Sequence, residues 1–120
     1  MDKAGKYLFD IQYAISLIEQ FLESISNFAD YQADIKAQSA VERQLAIIGE
    51  VVNRMRTECP EISFSQAQQI ISFRNRIIHA YDNIDASIVW VIIRKNLPIL
   101  KEEVEALLWK YAFKFALVRE

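Results

Sequence analysis

Most of the chemistry available to this chain is gathered in one segment, Arg74-Asn75-Arg76-Ile77-Ile78-His79-Ala80-Tyr81. Its single histidine, His79, is the one side chain whose unperturbed charge changes near neutral pH. Wound as a helix at about 100° per residue, the segment puts His79 on a polar side with Asn75 and Asp82. There Asn75 is spaced to orient the imidazole and Asp82 to hold its other ring nitrogen. Arg74 falls instead in the middle of an apolar arc, flanked by Ile70, Ile78 and Tyr81. A guanidinium does not lose its proton, so one on a core-facing stripe calls for an anionic partner or an interface. Arg74, Asn75, His79 and Tyr81 together offer an anion clamp, an orienting amide, a proton carrier and a phenol.

Other chemistries find less support. A zinc site wants three or four His, Cys or carboxylate ligands, and one histidine with a distant Cys59 does not supply them. With two glycines there is no glycine-rich phosphate loop. No serine has a base beside it on one helix, and Cys59 sits in no setting that would lower its pKa. A metal-free reaction that suits the residues is cleavage of RNA by its own 2′-hydroxyl. The substrate brings the nucleophile, and the protein needs only a base, an acid and a cation for the pentacoordinate phosphorane. One histidine cannot serve both sides of an in-line displacement, whereas a two-fold dimer brings two. On the second helix, Glu50 and Arg54 are spaced as an ordinary surface pair. If that side meets a partner, Glu50 is the counter-ion for a desolvated Arg74.

These side chains need helices to carry them. Leu8, Ile11, Ile15, Ile18, Leu22 and Ile25 form a heptad stripe, predicting a first helix from about Asp2 to Asn27. Ala29 to Asp34 reads as a short polar link. Val41, Leu45, Ile48, Val52 and Met55 predict a second helix over about Asp34 to Thr57, ended by Pro60. The third is expected to start at Ser63 or Ser65, each with a glutamine in the capping-box position, and to stop at Asp82-Asn83. Asp85 can cap a fourth whose first turns, Ile88 to Ile93, are apolar all round, which suggests burial against another subunit. Pro98 either kinks this helix or opens a fifth. Residues 109–120 are a helical extension or a strand-like tail.

The expectation is an all-α, up-and-down antiparallel bundle of four to five helices, a domain over residues 1–108, assembled as a two-fold homodimer. With 120 residues, 52% hydrophobic and 25% charged, the chain can bury a sizeable core. Scarce Gly and Pro argue against a sheet protein. The single cysteine fits a reducing, cytoplasmic setting, and there is neither a leader pattern nor an 18-residue apolar run. A net charge of −2 excludes a broad electrostatic footprint for nucleic acid, so any such contact is local or shared between subunits.

The arrangement of Arg74, then a polar Asn75, His79 after four intervening positions and Tyr81 two further on resembles the HEPN superfamily, and within it the HepT-like toxins. Glu50 and Arg54 match that group's Glu-x-x-x-Lys/Arg element, and the run from Ile84-Asp85 through Trp90 to Asn96-Leu97-Pro98 is also similar. The likeness covers roughly residues 5 to 108. It implies a dimeric, metal-independent, cofactor-free ribonuclease acting on RNA such as tRNA or mRNA. Arg74 and His79 would be catalytic, with Asn75, Glu50 and Asp82 in support. It further implies the toxin of a toxin–antitoxin pair, silenced when a minimal nucleotidyltransferase adenylylates Tyr81. Members of the superfamily that lack nuclease activity keep the same helices. The alternative is therefore a non-catalytic dimeric module that binds nucleotide or a nucleotidyltransferase.

Overall fold

The computed structural model describes residues 2–79 and 84–119, with side chains through residue 113. Its elements are helices α1 (Lys3–Phe21), α2 (Phe28–Ala33), α3 (Ile35–Glu58), α4 (Ala67–Ile78) and α5 (Ala86–Val91), a π-helical stretch (Ile92–Asn96), and α6 (Leu97–Arg119). The last three run on as one rod, so the all-α expectation holds and the bundle has four long members. Side-chain caps start four of the helices. Asp2 accepts from the Gly5 amide at 2.8 Å, Asn27 from Asp30 at 2.9 Å, Asp34 from Ala37 at 2.9 Å and Asp85 from Ser87 at 2.9 Å. Caps of this kind stabilise a helix by about 1 kcal/mol each.

The heptad stripes become the core. Leu8, Ile11 and Ile18 of α1, Val41, Ile48 and Val52 of α3, and Leu100 and Val104 of α6 are sealed from solvent. Neighbouring rods are antiparallel. At the start of α1, Tyr7 donates to Glu58 at the end of α3 (2.9 Å), and Lys3 pairs with the same carboxylate at 3.0 Å. At its other end Glu19 pairs with Lys101 of α6 at 2.6 Å.

The structure departs from the sequence expectations in four places. First, α1 stops at Phe21 rather than Asn27, and the expected polar link is largely α2. Asn27 caps that new helix, and six residues are too few for an apolar period to show. Second, α2 buries Tyr31 and places it against Trp90, ring centroids 5.4 Å apart, with Phe28 at 6.3 Å. The all-round apolar helix is thus covered largely within its own chain, and of Ile88 to Ile93 only Val91 is left in solvent. Third, neither serine caps α4. The helix starts at Ala67, and Gln66 before it makes no cap bond. The Ser65 amide instead donates to Glu103, and Gln66 Oε1 accepts from Asn96 Nδ2 at 2.6 Å. Fourth, α4 ends at Ile78 rather than running on to Asp82-Asn83. Of the two forms open to the tail it takes the helical one, as far as Arg119, and Trp109 and Phe113 stack there, exposed, at 5.4 Å. Among the described residues, no helix is long and apolar enough to cross a membrane.

Candidate functional site

The site grows from the crossing of α3 and α4. A glycine inside a helix costs roughly 1 kcal/mol relative to alanine, so one kept there needs a reason. Gly49, buried near the middle of α3, has one: Arg74 of α4 lies directly on it. A Cβ at position 49 would overlap the Arg74 Cβ, reach within 2.9 Å of its Cγ and approach the Ile70 carbonyl oxygen to 3.2 Å. The methylene stem of Arg74 is therefore pressed onto the α3 backbone and only its head continues outward. Arg74 is half-buried, at the edge of the apolar arc rather than in its middle. Ile70, Ile71 and Phe73 are buried, whereas Ile78, one turn after Arg74, is 52% exposed.

Asn75 takes hold of the guanidinium. Its Oδ1 accepts from Arg74 Nη1 at 2.8 Å. The carboxamide oxygen expected to serve the imidazole is thus engaged by the cation. Asn75 meets His79 through the main chain: its carbonyl oxygen accepts from the His79 amide at 3.2 Å. His79 follows the last residue of α4, and its side chain is exposed. Arg74, Asn75 and His79 thus share the last turns of one helix.

Glu50 is not the partner of Arg74 in this chain. It pairs along its own helix with Arg54 at 3.4 Å, both side chains more than half exposed, a contact worth a few tenths of a kcal/mol. Tyr81 and Asp82 lie outside the described residues. Cys59 is buried, and burial together with Glu61 and Glu58 pushes its thiol up, away from the reactive thiolate. Among the described residues no three His, Cys, Asp or Glu side chains gather as a metal site would require. The residue that sequence reasoning passed over is Gly49. Its signal was present: it is one of only two glycines and sits inside a strongly patterned helix.

The profile of the family described as "Ribonuclease HepT-like" matches residues 11–107. A protein of Thermococcus cleftensis named "Probable ribonuclease HepT" is 38% identical over 105 residues, covering 84% of this chain and 92% of that one. "Putative RNase TTE0752" of Caldanaerobacter subterraneus is 31% identical over 103 residues (83% and 92%). "Putative RNase MJ1380" of Methanocaldococcus jannaschii is 29% identical over 103 residues (82% and 91%). No solved structure matches significantly.

Proposed function

This chain belongs to the ribonuclease HepT-like family, and from that footing we propose that it is a metal-independent RNA endonuclease working at the His79 end of α4. The observation that carries the reading is the Arg74–Asn75–His79 arrangement. A guanidinium anchored by its stem and steered by a carboxamide stands on the same turns as an exposed imidazole. In the proposed reaction neutral His79 takes the proton of a ribose 2′-hydroxyl. The freed oxygen attacks the adjacent phosphorus, and Arg74 stabilises the charge that builds on the phosphorane. The P–O5′ bond breaks as the leaving oxygen is protonated, giving a 2′,3′-cyclic phosphate and a 5′-hydroxyl. The acid must stand opposite the base, and His79 of a second copy fits that role. Exposed Ile78, beside both groups, is an apolar side chain that such a copy would cover. A dimer through this face would also gather cations locally on a chain of net charge −2.

We further propose that the chain is the toxin of a toxin–antitoxin pair, controlled at Tyr81. That tyrosine lies seven residues after Arg74. An AMP there would bring a phosphodiester for Arg74 to clamp, in competition with the phosphate of RNA. The cognate nucleotidyltransferase would supply the AMP.

The test has two arms. His79→Ala is expected to abolish RNA cleavage, a loss of 10²-fold or more on the order of general acid–base contributions, with fold and assembly kept. EDTA should have no effect and the products should carry cyclic phosphates. Surviving cleavage, chelator sensitivity or 5′-phosphate ends would overturn the mechanism. In the second arm, co-expression with a cognate nucleotidyltransferase should add AMP mass that maps to Tyr81 and silences cleavage. A labelled but fully active protein would refute the switch at Tyr81, and a labelled protein that cleaves no RNA in either state would favour the non-catalytic binding module.

A further inference from the structure

We propose that Gly49 is a positioning residue for the Arg74 guanidinium. This deepens the ribonuclease reading above and rests on it. Arg74 has a long, flexible stem, and a cation of that kind serves a transition state only if it is already in place when charge develops. Here two contacts place it. The first is Gly49: the missing side chain leaves a notch in α3 that the Cβ and Cγ of Arg74 fill, fixing the start of the stem against backbone. The second is the Asn75 carboxamide, which fixes the head at 2.8 Å from Nη1. The notch cannot be kept with any other residue. A Cβ would meet the side chain of Arg74 on one side and the Ile70 carbonyl oxygen, at 3.2 Å, on the other. Neither neighbour can yield without shifting α4, because the atoms met are the root of the side chain and main chain. Gly49 also lies beside Glu50, so the same turn of α3 carries the notch and the Glu50–Arg54 pair.

The experiment compares the wild type with Gly49→Ala, Arg74→Ala and the double variant, well below their melting temperatures. Gly49→Ala should lower kcat at least tenfold with KM within about threefold, the pattern of an interaction realised in the transition state. In the Arg74→Ala background, where the guanidinium is gone but the Cβ facing Gly49 is kept, the same change should cost clearly less than in the wild type. A kcat that Gly49→Ala leaves untouched, or equal losses in both backgrounds, would overturn the proposal and leave a packing role. A second readout needs neither cleavage nor a folded Gly49 variant. The ¹⁵N relaxation of the Arg74 Nε–H in the wild type, assigned through Arg74→Lys, should match rigid backbone, with order parameter about 0.85, while Arg76 falls below about 0.6. Equal mobility of the two arginines would refute the notch. Rigid Arg74 in a protein that cleaves no RNA would sink the ribonuclease reading and keep the positioning one.

Discussion

Two arginines in this molecule are held in opposite ways. Arg94, in the π-helical stretch, lies over the Trp90 ring at 4.6 Å and donates through Nη2 to the Ser26 carbonyl oxygen at 2.8 Å. Both contacts bind its head, tying the loop after α1 to the last rod of the bundle. Arg74 is gripped mainly by its stem, through Gly49, and its head makes a short bond to a neutral carboxamide. A guanidinium carries five donors, so steering it with one neutral acceptor leaves charge to offer an anion. Binding the head serves structure, whereas binding the stem and presenting the head serves a ligand.

The contrast is broken most directly at Arg74. Arg74→Ala is expected to lower cleavage by about 10²–10³-fold, as loss of an electrostatic transition-state donor does, with little change in unfolding midpoint. A variant that keeps its rate, measured at saturating RNA, would erase the distinction between the two cations. The matching change, Arg94→Ala, should do the reverse. It should cost about 1–2 kcal/mol of stability through the lost cation–π and carbonyl contacts, read by urea denaturation, and leave kcat of the folded protein alone. A fall in kcat instead would mean that both arginines serve the site.

The smallest effect tests the packing around Trp90. The Tyr31 hydroxyl is buried with no hydrogen-bond partner among the described residues. Tyr31→Phe should therefore be neutral or stabilising by up to about 1 kcal/mol near pH 7. Burial, then Glu42, raises the Tyr31 pKa above its ordinary value. The unfolded phenol ionises first, so its contribution to wild-type stability is intact below about pH 10 and is lost as pH rises further. Tyr31→Phe should remove that alkaline loss, and denaturation midpoints compared at neutral and alkaline pH would expose it.

Much of the fold was legible in the amino-acid sequence. The stripes from Leu8 to Ile18 and from Val41 to Met55 named two rods and their buried faces because a long apolar period leaves little choice. Arg74, Asn75 and His79 were picked out by residue type and spacing. Their wiring was not: a helical wheel gives directions around an axis, not rotamers, so the bond between neighbours Arg74 and Asn75 could not be read from it. α2 escaped because it is short, and its absence made the apolar run after Asp85 look as though it needed another subunit. The serines before α4 carried a good local capping pattern that lost to tertiary partners, Glu103 for the Ser65 amide and Asn96 for the Gln66 side chain.

The π-helical stretch from Ile92 to Asn96 acts on α6 as a phase shifter. A wide turn holds one residue more than an α-turn spanning the same rise, and one residue is about 100° of rotation. Upstream of it Val89 points into the core, and downstream Leu97, Leu100 and Val104 do so too. Deleting a single residue there would give a more regular helix with every downstream side chain turned by more than a quarter of a circle. Leu100 and Val104 would swing off the core and Lys101 away from Glu19. A one-residue deletion in this stretch should therefore be far more damaging than one beyond residue 113, so the length of this rod is under tighter constraint in its middle than at its end.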